Sequence, residues 1–134
     1  MLDLTFATQW LPGVSVISVA GEIDAAGADR LDHHVRQSRR TPGEQVVIDL
    51  SEAGLLGSAG LRVLLNTHAF ARQHGGALRL AAPHPKIARF MEMTGANHVL
   101  RVHATVEDAV MTALRQSTAR EKSLTEREKT LTQA

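Results

Sequence analysis

Val46-Val47-Ile48-Asp49-Leu50, followed closely by Gly57-Ser58-Ala59-Gly60-Leu61, is the stretch on which the fold turns. An apolar run broken only by Asp49 reads as a strand covered on both faces. The strand is expected to run into a short loop, with the next helix starting near Ser58. A helix start offers unpaired N–H groups and the positive end of the helix dipole, so it favours a phosphate or another anion. Ser58 therefore has two readings. As an N-cap it would stabilise the helix by about 1 kcal/mol. As a phosphorylation site it would receive about −2 charge where the dipole favours it, leaving the fold intact and placing the effect on a docked partner. The residues alone leave both open, with the cap the simpler.

Working outward, Leu2, Leu4 and Phe6 alternate with polar residues as in a half-buried first strand. Leu11-Pro12-Gly13 makes a turn into a second strand, Val14 to Ala20, close enough to pair antiparallel with the first. Asp24 is placed to cap a first helix whose stripe is Ala28, Leu31 and Val35, stopped by Arg39-Arg40-Thr41-Pro42-Gly43. The second helix is expected to bury Leu61, Leu64, Leu65 and Ala69 and to close at His74-Gly75-Gly76. A strand from Ala77 to Ala82 follows, then a third helix with Pro85 in its first turn, Ile87, Phe90 and Met91 inward and Gly95 at its end. Val99 to His103 is the last strand. Thr105 caps a fourth helix, together with Asp108, and Val106, Val110 and Leu114 form its buried side. The order β-β-α-β-α-β-α-β-α implies an α/β fold built on a small mixed, mostly parallel sheet. Residues 1–115 form the domain. Residues 116–134 are nearly all charged, Ser, Thr or Gln, and read as a solvated, flexible or partly helical tail; Leu124 and Leu131, seven apart, are too few for a sustained coiled coil.

The chain has 134 residues, 43% hydrophobic and 22% charged, enough for one core of ordinary composition. A net charge of +1 gives no reason to expect nucleic acid as partner. Without cysteine there is no disulfide, thiolate chemistry or cysteine-based zinc site. No apolar run suits a membrane span and Met1-Leu2-Asp3-Leu4-Thr5 does not resemble a signal peptide, so the expected location is the cytoplasm, without membrane insertion.

Three kinds of chemistry fail on spacing. Gly54, Gly57 and Gly60 give G-x-x-G-x-x-G, not the dinucleotide G-x-G-x-x-G, and no Gly-Lys-Ser/Thr is present. His33 and His34 are adjacent, and His68 and His74 are six apart, so neither pair has metal-ligand spacing on a helix. No G-x-S-x-G elbow occurs. No cofactor, no metal and no enzymatic activity are expected; a small-ligand or nucleotide domain using the glycine-rich loop is the rival from another class.

Gly21-Glu22-Ile23-Asp24, Val46 to Ser51, Gly57 to Leu61, and Pro85-Lys86-Ile87-Ala88-Arg89-Phe90-Met91-Glu92-Met93-Thr94-Gly95 stand in an order and spacing that resemble the STAS domain over about residues 2–115. The resemblance is to the bacterial anti-sigma factor antagonists. It implies a small mixed sheet with helices packed on one side. It also implies a partner, an anti-sigma factor with a GHKL-type serine kinase fold, which phosphorylates a serine at the start of the second helix and so breaks the complex; a serine phosphatase resets it. Carried over by motif, the phosphoacceptor is Ser58, and docking involves Asp24, Gly57, Ser58, Ala59, Gly60 and Leu61 with Arg62 and Asn66 on the second helix. The expected state is a monomer or weak homodimer. One position departs: where the family usually has Asp before the serine, this chain has Gly57, which removes a carboxylate beside the hydroxyl. That departure fits the alternative, a STAS subunit of a stress-signalling or lipid-transport assembly that is not phosphorylated.

Overall fold

The computed structural model describes residues 3–133; Leu2, expected at the head of the first strand, and Ala134 lie outside them. The elements are β1 (Thr5–Leu11), β2 (Val14–Ile23), α1 (Ala25–Ser38), β3 (Gln45–Leu56), α2 (Ser58–Gln73), β4 (Leu78–Ala81), α3 (Pro85–Thr94), a 3₁₀ turn (Ala96–His98), β5 (Arg101–His103) and α4 (Val106–Gln133). The five strands lie in the order β1-β2-β3-β4-β5; β1 is antiparallel to β2 and every other pair is parallel.

The sheet is covered on both faces, and this corrects the expectation of helices on one side. Ile17, Val19, Val46, Ile48, Leu50, Leu78 and Leu80 face a core closed by Leu31 and Val35 of α1, Leu61 and Leu64 of α2, and Ile87 and Met91 of α3. Val14, Val16, Val47 and Ala81 face the other way, where α4 covers them with Ala109 and Ala113. The reason lies in the central strands themselves. Successive side chains point to opposite faces, so a continuous apolar run such as Val46-Val47-Ile48 needs a cover on each. Small alanines at the α4 contact bring that helix close to the sheet, with Val106, Val110 and Leu114 half-buried along its flanks.

Two strands outrun the sequence reading. β2 continues past Ala20 to Ile23, and β3 passes Leu50 to Leu56, so the loop expected before Ser58 shrinks to Gly57 alone. The cause is irregular register. Ser18 pairs with Asp49 but Ala20 with Glu52, and Gly21 pairs with Ala53 but Glu22 with Leu55. β3 thus carries two extra residues, and beyond Leu50 it buries every third side chain, Ala53 and Leu56, instead of every second. Opposite this stretch Gly21 has φ +112, and a Cβ there would lie 3.0 Å from the Asp3 carbonyl oxygen. Pairing of β3 with β4 stops at Asp49 and Ala81. The Asp49 carboxylate accepts from the Ser51 N–H at 2.9 Å, satisfying a donor just beyond the end of the β4 ladder. The outer halves of β2 and β3 therefore form a two-stranded ribbon leading to the starts of α1 and α2.

Elsewhere the differences are small. Ala69 is exposed while Thr67 and Ala71 are buried on α2. β4 and β5 are shorter than expected, and Val99 is exposed, beyond the 3₁₀ turn. Ala82, just past β4, is the one non-glycine residue with positive φ among those described. α4 runs unbroken through residues 116–133. Its next turns still touch the body: a Cβ on Gly13 would meet the Ser117 hydroxyl, and Arg120 Nη1 donates to the Gly43 carbonyl at 2.9 Å.

Candidate functional site at two adjacent helix starts

α1 and α2 leave the ribbon side by side. Ile23 and Leu56 are register partners at its end, and the Gly57 N–H donates to the Ile23 carbonyl at 2.9 Å. The two chain reversals are near copies: Ile23-Asp24-Ala25-Ala26-Gly27 and Leu56-Gly57-Ser58-Ala59-Gly60 each give an inward apolar residue, a cap, one variable residue, Ala and Gly. Each closing glycine is closely packed. A Cβ on Gly27 would approach Leu4 Cδ2 to 2.9 Å, and one on Gly60 would approach Ile23 Cγ2 to 2.7 Å.

The copies differ where oxygen sits. Asp24 caps α1, its carboxylate accepting from the Gly27 N–H at 2.8 Å, as expected. The cap of α2 is Gly57, and no side chain closes that terminus. Ser58 is the first helical residue and not the N-cap, so the simpler reading of this serine is the one the structure overturns. A residue inside the first turn has its own N–H among the orphan donors and its side chain beside them, so its hydroxyl is displaced outward from the capping position. Ser58 and Ala59 are exposed.

The remaining expected residues divide. Arg62 is exposed on α2, and Asn66 is exposed one turn on, where with Asp32, Arg36, Arg39, Thr67 and Phe70 it lines a cleft of about 110 Å³ between α1 and α2. In that cleft the Arg39 guanidinium lies 4.3 Å from the Phe70 ring centroid. Gly60 and Leu61 are buried, Leu61 with 6% of its surface exposed. The 3.6-residue period turns them toward Leu64 and the core, so they hold α2 against the ribbon and present no surface of their own. The surface the structure brings together is Asp24, Gly57, Ser58 and Ala59 at the crest, continued by Arg62 and Asn66.

Three neighbours escaped the sequence reading. Leu55 is 44% exposed although Leu56 beside it is buried. Glu22, the register partner of Leu55, and Glu52 are exposed on the same ribbon. A doublet of leucines at a strand end was a usable signal, since alternation must turn one of the two outward. Glu22 and Asp24 thus put two carboxylates at the crest, with one apolar side chain and one hydroxyl; Glu52 lies further back on the ribbon, opposite Ala20. Among the described residues no group of His, Asp or Glu is arranged to hold a metal, and no helix is long and apolar enough to cross a membrane.

A family model described as the STAS domain matches residues 5–109. The anti-sigma-F factor antagonist RsfB of Mycobacterium tuberculosis is 30% identical over 100 residues, covering 73% of this chain and 80% of the relative. A crystal structure of an anti-sigma factor antagonist from Mycobacterium paratuberculosis is 31% identical, with a TM-score of 0.75 over 83% of this chain and 94% of that one. The anti-sigma factor antagonist SpoIIAA in its unphosphorylated form shares the fold, with a TM-score of 0.67 at 16% identity over 79% of this chain and 93% of that one.

Proposed function

The chain belongs to the STAS domain family, and from that membership we propose that it is an anti-sigma factor antagonist: it docks on an anti-sigma factor, frees the sigma factor held there, and is switched off by phosphorylation of Ser58. The names of relatives at 30% and 31% identity support the antagonist role. The observation that carries the switch is the open start of α2, an exposed Ser58 in the first turn of a helix whose cap, Gly57, supplies no side-chain acceptor. A phosphate on the Ser58 oxygen would sit over orphan N–H groups that nothing else occupies, so the modification is compatible with the helix. It would add about −2 charge to a crest already carrying Glu22 and Asp24. A partner surface complementary to the unmodified crest, accommodating Leu55 and the small Gly57 and Ala59, would then meet excess negative charge and a bulky anion. The partner in this reading is an anti-sigma factor of the GHKL serine-kinase type, with a serine phosphatase to restore binding. The protein acts by docking and carries out no reaction itself.

Calorimetric titration against the cognate anti-sigma factor tests the switch. Ser58→Glu is expected to weaken binding at least about tenfold, the scale of a repulsive or lost charged contact, while Ser58→Ala binds as the parent does. Equal affinities for the two variants would overturn it. Gly57 in place of the family's usual Asp favours a second reading, a STAS subunit whose Ser58 is never modified; phosphopeptide mass spectrometry that finds no Ser58 phosphate in any growth condition would favour that one.

A further inference from the structure

At the sheet edge remote from the crest, the N-terminal ends of β4 and β5 gather positive charge that the docking reading does not use. His68 and Arg72 of α2, Arg79 of β4, His98 after α3 and Arg101 of β5 all line one cavity of about 450 Å³, with Gln116 of α4 on its wall. No Asp or Glu lines it. Arg79 and Arg101 are direct register partners on neighbouring strands, an arrangement in which like charges repel and cost stability. The whole chain carries a net charge of only +1, so the concentration is local.

The nearest carboxylate is already committed. Arg79 Nη1 lies 3.2 Å from His103 Nε2, and His103 Nδ1 lies 2.7 Å from an Asp108 carboxylate oxygen. Since a guanidinium can only donate, His103 Nε2 accepts and Nδ1–H donates to Asp108, which orients the ring. Arg79 Nε is buried and has no partner. The ion pairs among the described residues include none of Arg72, Arg79 or Arg101. His68 Nδ1 accepts from the Leu78 N–H at 3.1 Å, fixing the α2 wall against the start of β4. Three arginines stand here on three elements, two of them register partners and one with a buried donor unsatisfied; Arg79 is offset only through His103 and Asp108, and Arg72 and Arg101 enter no ion pair among the described residues.

We infer that this cavity is a binding site for a small phosphate-bearing anion, held by Arg72, Arg79 and Arg101. Guanidinium forks match phosphate oxygens, and an anion held among several of them offsets their mutual repulsion. The volume falls within the range of small-molecule sites. No Phe, Tyr or Trp lines it, so the site is built for charge and does not provide an aromatic platform for a base. The ligand is inorganic phosphate or the phosphate end of a small organic molecule.

Thermal unfolding and amide NMR of the full chain, in sodium phosphate, sodium glycerol 3-phosphate and sodium chloride at matched ionic strength, test this. Both phosphates are expected to raise Tm above chloride, with amide shifts centred on Leu78, Arg79 and Arg101; a larger effect of glycerol phosphate identifies an organic ligand, and equal effects identify phosphate itself. Arg101→Gln and Arg72→Gln, both at exposed side chains, should each weaken phosphate binding about tenfold or more. In chloride, Arg101→Gln should leave Tm equal to the parent's or raise it, since it removes repulsion. Equal Tm in the three salts, shifts centred on Ser58 to Leu61 instead, undiminished binding by the variants, or a lower Tm of Arg101→Gln in chloride would each overturn the inference.

Discussion

Helices α1 and α2 start from the same five-residue pattern, at register partners, one hydrogen bond apart, and yet one start is closed and the other open. In α1 the oxygen stands at the cap, on Asp24, and is used up in holding the Gly27 N–H. In α2 the cap is Gly57 and the oxygen stands one residue later, on Ser58. The shift by one position moves an oxygen from a structural bond to the surface. The contrast teaches that a serine at a helix start need not be its cap, and that side-chain position within the first turn separates the two roles.

The shared part of the pattern should be the most sensitive. Gly60→Val would push a branched side chain against Ile23 Cγ2 and Leu56 Cδ1, both within 2.8 Å of where a Cβ would stand. Overpacking of this kind costs about 1–3 kcal/mol, to be read as a lowered urea midpoint at unchanged m-value. The two caps should then respond in opposite directions. Asp24→Ala removes a bonded cap and should destabilise by about 1 kcal/mol, whereas Gly57→Asp should stabilise by a few tenths, because Asp is the better cap. Nothing obstructs the second change: Gly57 has φ −85, and a Cβ there would lie at an ordinary 3.5 Å from the Ile23 carbonyl oxygen. A destabilised Gly57→Asp protein would show that the open start is imposed by packing and not by the residue.

The smallest effect is one of pH, and each helix contributes to it. His34 of α1 touches Thr8 Oγ1 at 2.7 Å and stacks on Phe6; burial, then the neighbouring His33, holds its pKa below the ordinary 6.5. His68 of α2 is also lowered, first by burial and then by Arg72, Arg79 and Arg101. Both rings are thus more easily protonated in the unfolded chain than in the folded one. Stability contributed by the neutral forms is complete above pH 6.5 and is lost as pH falls through the lower folded values. Urea midpoints should therefore decline below about pH 6.5, and less steeply in a His68→Gln variant; a midpoint that rises on acidification would contradict the sign.

Element order, sheet directions, the helix caps at Asp24, Gly95 and Thr105, and Pro85 in the first turn of α3 were legible in the sequence, because each rests on local chemistry: apolar periodicity, a carboxylate, a missing Cβ, a fixed φ. The far half of β3 was not. Its two extra residues turn alternation into a period of three, and Ser51-Glu52-Ala53-Gly54 then has the composition of a loop. The cover of the second sheet face was legible in principle, from Val46-Val47-Ile48, but required asking what each alternate side chain packs on. Ser58 was found as a residue and misplaced as a cap. One hydrogen-bonded residue more or less at a helix start lies below what residue types resolve, since both Gly57 and Ser58 are acceptable caps. Arg79 facing Arg101 could not be seen at all without the pairing register.

α4 is 28 residues long, about 42 Å at 1.5 Å per residue. The described side chains after Arg120 are all exposed. The stretch from residue 121 to 133 alone would be a marginal helix in water, because starting a helix is far harder than lengthening one. The packed half, from Val106 to the Arg120–Gly43 bond, supplies the nucleus, and the solvated half needs only propagation. Order in the last turns is therefore borrowed, and their helicity serves as a remote gauge of whether the Val14–Val16–Val47 face of the sheet is still covered.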